Sequence, residues 1–78
     1  MFVWTVKIEE RWSHEPKGHF EDLGNDYTVA ARNSEEAFRK VEKIALSKSR
    51  SFVDDDGEDV HPVEVRLIGL ERGVALDA

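Results

Sequence analysis

Apolar residues occupy every second position near the N-terminus, and this alternation predicts a β-strand over residues 2–12. The residues that fall on its apolar face are Phe2, Trp4, Val6 and Ile8. A period of two puts such side chains on one face of a strand, and β-branched and aromatic residues favour strands. Residues 26–32 repeat the pattern as a second strand, and the side chains expected toward the core are Tyr27, Val29 and Ala31.

Residues 33–48 carry the period of an amphipathic helix. Asn33 is a favourable N-cap, and Glu36 three residues later completes a capping box. The positions on the predicted apolar face are Ala37, Phe38, Val41, Ile44, Ala45 and the stem of Lys48. The pairs Glu35–Arg39 and Glu36–Lys40 have the i,i+4 spacing and the order that stabilise a helix.

A third strand is predicted at residues 62–70, where Val63, Val65 and Leu67 alternate with polar residues. The alternation shifts after Leu67, which indicates a bulge near Gly69. The triplet 71–73 then favours a turn, after which Val74–Leu76 would add a short fourth strand at the edge.

These elements follow the order β-β-α-β. Crossover rules favour the first strand in the centre, flanked by the second and third. The predicted fold class is therefore α+β: a single domain, 1–78, with a small antiparallel-type sheet of three to four strands and one helix packed on one face. The opposite face is mostly polar, so it can be solvated.

The length of the chain limits the stability that its core can supply. A domain of 78 residues buries only about 60% of its unfolded surface, and one such core supplies only about 3–5 kcal/mol. The chain has no cysteine, which excludes disulfides and cysteine-based zinc sites. Oligomerisation or a binding partner is the expected supplement. Because no apolar run is long enough to span a membrane, we expect a cytoplasmic protein.

Five carboxylates crowd into the segment between the helix and the third strand: Asp54, Asp55, Asp56, Glu58 and Asp59. They account for most of the net charge of −6, since the rest of the chain holds 12 acids against 11 bases. Direct nucleic-acid binding is disfavoured because it depends on basic residues that face phosphates. We interpret residues 49–61 as a polar loop that is either merely solvated or recognises a basic protein partner.

Part of this loop matches an EF-hand. Asp54, Asp56 and Gly57 fit positions 3, 5 and 6 of the calcium loop, but Phe52 and Val63 fall where the first ligand and the bidentate glutamate belong. The pattern therefore predicts no dedicated metal site, although so many carboxylates could attract a divalent cation weakly.

The histidines and serines form no recognisable catalytic pattern. His14, His19 and His61 lack the spacing of a zinc or protease motif, and no nucleophile elbow surrounds any serine. We therefore predict no enzymatic activity and no cofactor. The connection 13–25 is long, with a possible short strand at His19–Leu23, and aromatic or imidazole side chains lie in and beside it: Trp12, His14, His19, Phe20 and Tyr27. Tryptophan and tyrosine often anchor interfaces, but Trp12 and Phe20 could instead close one end of the core.

The stretch "YTVAARNSEEAFRKVEKIA", residues 27–45, resembles the strand–cap–helix segment of small phage and prophage proteins of unknown function. The later "VEVRLIGLERGVALDA" is similar to the closing strand of such proteins. This resemblance implies a small accessory protein that binds and inhibits or redirects host machinery, such as a defence or nucleic-acid enzyme.

We therefore expect a non-enzymatic protein-binding module. Its predicted partner-binding residues are Trp12, His14, His19, Phe20, Asp54, Asp55, Asp56, Glu58 and Asp59. Two alternatives stay open at this point. One is a structural homo-oligomer, such as a homodimer, that self-associates through a free sheet face or edge strand; the other is a weak divalent-metal-binding protein.

Overall fold

The structure is a computed structural model and describes residues 1–76, with Lys48 described in its backbone only. The elements in chain order are β1 (Phe2–Trp12), β2 (Asp26–Ala31), α1 (Ser34–Ala45), a 3₁₀ turn (Lys48–Arg50), β3 (Phe52–Val53), β4 (Asp59–Val60) and β5 (Pro62–Ala75). The predicted α+β class is confirmed. A three-stranded antiparallel sheet carries one helix, and β3 and β4 form a second sheet of two strands.

β1 lies between β2 and β5, in agreement with the predicted strand order. It pairs with β2 through residues 2–7, with Thr5 opposite Thr28, and with β5 along its whole length. A 14-residue strand spans about 46 Å at 3.3 Å per residue. The β1–β5 ribbon therefore accounts for the length of the molecule, which measures 51 × 22 × 17 Å.

The predicted bulge near Gly69 is present. Lys7 pairs with Gly69 whereas Ile8 pairs with Leu67, so Ile68 is an extra residue on β5. The sequence-based prediction of a turn at residues 71–73 and a fourth strand at Val74–Leu76 is wrong, because β5 runs on until Ala75 pairs with Phe2.

Pairing with β1 explains this continuation. The first residues of β1 offer free backbone groups, and the segment after Glu71 satisfies them instead of turning away. A β-carbon at Gly73 would lie 3.0 Å from the carbonyl oxygen of Val3. Gly73 therefore permits the close approach of two strands. The sequence-based prediction had interpreted this glycine as a turn signal.

The core lies between the helix and the first two strands. Its fully or nearly buried members are Trp4, Val6, Ile8, Ala31, Ala37, Val41 and Ala45. The outer strand β5 adds only the half-buried Val65. A helix about 10 Å wide covers roughly two strands spaced about 4.8 Å apart, so one helix leaves the third strand of this sheet partly bare.

The helix begins as predicted and ends earlier. Asn33 Oδ1 accepts the backbone N–H of Glu36 at 2.9 Å, while the Glu36 carboxylate binds Arg32 rather than the N-cap residue. Both predicted i,i+4 pairs form. Leu46 follows the last helical residue, and the predicted packing of the Lys48 stem concerns a side chain outside the described atoms.

Ile44 is the exception on the helix face. It was expected in the core but is 48% exposed. The three buried helix residues follow a spacing of four, and this stripe drifts around the helix away from Ile44. No helix among residues 1–76 is both long and apolar enough to span a lipid bilayer.

The contrast between two isoleucines gives a test of this core. Ile8→Ala should lower the free energy of unfolding by about 3 kcal/mol, because Ile8 is fully buried and its removal leaves a cavity. Ile44→Ala deletes the same atoms from an exposed site and should cost less than about 1 kcal/mol. Urea unfolding followed by circular dichroism measures both. Equal losses would contradict the assignment of the helix face.

Candidate functional site

The acidic segment forms a hairpin rather than the predicted irregular loop. β3 and β4 pair antiparallel, with Phe52 opposite Val60 and Val53 opposite Asp59. The Asp54 N–H donates to the carbonyl of Glu58 at 2.9 Å, and the Gly57 N–H donates to the carbonyl of Asp54 at 3.0 Å. Gly57 has φ +83°, a conformation that glycine adopts without steric cost. The carboxylates are therefore carried on a tight turn.

Asp54 holds this turn together. Its Oδ1 accepts the backbone N–H groups of Asp56 at 3.0 Å and of Glu58 at 2.9 Å, as aspartate does in many turns. Its side chain is half-buried, whereas the other acids of the segment are exposed: Asp55, Asp56, Glu58 and Asp59. Asp54 is thus a structural residue, whereas the other four carboxylates are exposed to solvent.

Two exposed apolar side chains flank the acids. Phe52 is 52% exposed and Val53 is 69% exposed. A hollow of about 270 Å³ opens beside the hairpin, lined by Leu46, Ser47, Ser51, Asp59 and His61. The hairpin therefore combines an apolar pair, a rim of carboxylates and a recess with both an apolar wall and an acidic wall.

Trp12 packs against this hairpin. Its ring lies 5.8 Å from the ring of Phe52, and the Arg50 guanidinium lies 5.3 Å from the Trp12 ring centroid. The neighbouring Ser13 exchanges backbone and side-chain hydrogen bonds with His61, at 2.8 Å and 3.1 Å. The structure thus brings the start of the connection 13–25 and the acidic turn to the same end of the molecule.

A buried ion pair fixes that end. Glu10 is only 1% exposed, and its two oxygens accept from Nη1 and Nη2 of Arg50 at 2.7 Å and 2.9 Å. Arg50 Nη1 also donates to the carbonyl of Ala45 in the last turn of α1 at 2.7 Å, and Trp12 Nε1 donates to Glu10 at 3.2 Å. One guanidinium therefore joins the end of the helix to the end of β1.

Sequence reasoning missed this pair, although half of it was visible. Glu10 continues the even-numbered series that contains Val6 and Ile8, so its position predicts a buried carboxylate, and a buried carboxylate needs a cation. Arg50 lies in the predicted polar loop 49–61, where nothing distinguishes it from a solvated base. Nothing in the pattern connects two residues 40 positions apart, so only the fold could supply the partner.

The Glu10 carboxylate raises the pKa of Arg50 above its ordinary value through their hydrogen bonds, although partial burial acts in the opposite direction. A raised pKa in a cation means that its contribution to stability is complete below the unfolded pKa. That contribution is lost only when the pH rises through the folded value. Arg50 therefore stays charged throughout the neutral range.

The remaining predicted residues lie on the connection 13–25. Phe20 is half-buried, with the Arg66 guanidinium 4.4 Å from its ring centroid, and Arg66 also pairs with Glu9. His14 is exposed. The suggested strand at His19–Leu23 is reduced to a single bridge between Glu21 and Glu10.

His19 lies between two carboxylates. Its Nε2 is 3.1 Å from Glu15 Oε2 and 3.1 Å from Glu21 Oε1, and the three groups lie close enough to hold a divalent cation. His61 has a different neighbour, Asp59, at 3.7 Å. His19 and His61 thus contact different carboxylates. Weak metal binding stays a prediction.

The chain was compared with known proteins at three levels. No family model matches it, and neither a curated relative nor a similar solved structure was found. The resemblance of residues 27–45 to phage and prophage proteins therefore stays a prediction, and function has to be argued from the surfaces themselves.

The buried pair gives a stability test with a matched control. Arg50→Ala should cost about 3 kcal/mol, because it strands the Glu10 carboxylate in the interior. Arg39→Ala breaks an ion pair with Glu35 whose two side chains are both largely exposed, and it should cost less than about 0.5 kcal/mol. Urea titration at neutral pH measures both variants. Similar losses for the two arginines would show that the Glu10–Arg50 pair does not hold this end together.

Proposed function

We propose that this protein is a non-enzymatic protein-binding module that contacts its partner through the hairpin β3–β4. A single observation carries the proposal: an ordered turn presents four exposed carboxylates next to exposed Phe52 and Val53. Because the hydrogen bonds of Asp54 already fix the turn, little conformational entropy is lost when a partner binds it.

The composition of the hairpin indicates the chemistry of the partner. Specific interfaces combine a buried apolar or aromatic centre with a polar rim. Phe52 and Val53 would supply the centre and the acids the rim, so the partner carries an apolar depression surrounded by lysine or arginine. The recess beside His61 could take the stem of one basic side chain against Leu46, with its charge near Asp59.

The resemblance to phage and prophage proteins supports a more specific role. Such a protein would bind and inhibit or redirect host machinery, either a defence enzyme or a nucleic-acid enzyme. Enzymes that act on nucleic acids expose basic surfaces to phosphates, and an acidic turn with an apolar centre is complementary to such a surface. Attraction between opposite charges would speed association, and added salt would weaken it.

The test compares three immobilised proteins in a host-cell lysate. The first is the wild type, the second Asp55→Asn/Asp56→Asn, and the third Glu35→Gln/Glu42→Gln. The two double variants remove the same charge, but the third removes it from the helix. We expect a partner that the wild type and the helix variant retain, with at least an approximately tenfold weaker signal on the turn variant. Quantitative mass spectrometry reads the captured proteins.

Val53→Ser provides a second arm, because Val53 is exposed and its replacement leaves the contact of Phe52 with Trp12 in place. The same partner should be weakened by this change too. Identical capture by the wild type and the turn variant would remove the hairpin from the binding surface, and capture no better than blank resin would remove the proposed function.

A further inference from the structure

The outer edge of β5 is a second surface, distinct from the acidic hairpin. β5 is the last strand of the sheet, and within residues 1–76 no strand pairs with its outer side. Several large apolar residues on it are exposed: Leu67, Ile68, Leu70 and Val74. Soluble proteins usually protect an edge with charged side chains (lysine above all), with internal proline, with bulges or by keeping the strand short. This edge has a bulge and some charged residues. It is nevertheless 14 residues long, has no lysine, and has proline only at its first position.

The register with β1 shows which way the side chains of β5 face. Leu67 lies opposite Ile8 and Leu70 opposite Val6, so both leucines share the face that carries the helix. They remain 41% and 36% exposed, because the core under the helix takes in only Val65 of this strand. Arg66 lies opposite Glu9 and Glu71 opposite Thr5, on the other face of the sheet.

We propose that β5 pairs antiparallel with β5 of a second copy of this chain, about a two-fold axis at Gly69. With Ile68 counted as the bulged extra residue, Leu67 then lies opposite Leu70 of the second copy, and Arg66 opposite its Glu71. Each pair shares a face, and the symmetry makes each pair twice. Opposite charges and apolar pairs in such cross-strand positions stabilise a sheet.

An axis at Val65 also pairs opposite charges, Glu64 with Arg66 of the second copy, but it overlaps the two strands only over residues 62–69 and leaves Leu70 unpaired, whereas the axis at Gly69 overlaps residues 62–75. Three further positions match less well. An axis at Leu67 sets Glu64 opposite Glu71 of the second copy, and an axis at Arg66 sets two arginines face to face. An axis at Leu70 leaves Glu71 opposite Gly69 and places Arg72 opposite Leu67. The segment from Arg66 to Glu71 is therefore complementary to itself with the axis at Gly69, as a two-fold interface requires, and of the positions compared this axis pairs the greatest length of β5.

The pairing also covers the bare part of the core. A two-fold axis perpendicular to the sheet makes one sheet of six strands with both helices on the same face. Leu67 and Leu70 of each copy then meet between the two helices, where four leucine side chains leave water. Gly69 on the axis has no side chain, so the two backbones can approach closely.

The shape of the single chain fits such a partner. Its radius of gyration is 14.2 Å, whereas a compact domain of this length has about 11.5 Å. Its accessible surface is 5344 Å², compared with about 4,800 Å² for a typical monomer of its mass. The excess of about 500 Å² is close to the roughly 600 Å² that each partner buries in a small specific interface.

Charge reversal tests the register. Sedimentation velocity should show a wild-type dimer that dissociates on dilution. Glu71→Arg should raise the dissociation constant at least about tenfold, since it faces Arg66 of the second copy with a like charge. Arg66→Glu should do the same by facing Glu71. An equimolar mixture of the two variants restores opposite charges at both positions, so it should form a heterodimer close to wild-type affinity. Asp55→Arg, in the acidic turn, is the control and should not change the dimer.

A wild-type monomer at about 1 mM would overturn the proposal. So would a dimer that both reversals leave intact, or folded variants that fail to associate when mixed. Arg66 also contacts Glu9 and Phe20, so Arg66→Glu could disturb the fold. Hydrogen exchange of the wild type avoids this problem. Amides of residues 66–71 should exchange more slowly at high protein concentration. Unchanged rates would exclude this edge from the dimer interface.

Discussion

The structure depends on one geometric limit: a single helix can cover about two strands of a three-stranded sheet. The helix contacts all three strands, but the buried residues that its Ala37, Val41 and Ala45 meet belong to β1 and β2. β5 contributes hydrogen bonds along its full length but adds only Val65 to the edge of the core. The exposed leucines of β5 follow directly from this limit, and so does the elongated shape.

β2 pairs only with residues 2–7 of β1. At the other end of the β1–β5 ribbon, a buried ion pair completes the fold. Trp12, the hairpin and the 3₁₀ turn gather around the buried carboxylate of Glu10. Arg50 is the residue that joins them, since its guanidinium binds Glu10, the last turn of the helix and the face of Trp12 at once. A buried pair of this kind stabilises little by itself, but it sets one arrangement of the elements around it. The acidic turn owes its fixed position to that arrangement.

Two surfaces with different chemistry result. The hairpin is charged, hydrogen-bonded through Asp54 and at one end of the molecule, which suits the recognition of a basic partner. The edge of β5 is apolar along one side and has a self-complementary order of charges, which suits a second copy of the chain. The hairpin and the segment around Gly69 lie on different elements, so dimerisation would leave the hairpins accessible. A dimer would then present two acidic hairpins, and a partner with two binding sites would bind both with higher avidity.

Local pattern alone was sufficient for several features, and each of them depends on neighbours in sequence. The alternation of β1, the N-cap at Asn33, the i,i+4 pairs and the bulge near Gly69 all arise from residues within a few positions of one another. The approximate strand order also followed, because few chain paths are possible for so short a protein. The identity of Glu10 as a buried residue was within reach of the same reasoning.

The sequence by itself thus determined which segments become strands and helix, and which faces of them are apolar. Only the tertiary structure decided that residues 71–75 continue β5, that Ile44 lies outside the core, and that Arg50 pairs with Glu10. The physical reason is common to all three. Each outcome depends on which strand, helix or charged group from a distant part of the chain lies nearby, and a periodic pattern carries no information about such contacts.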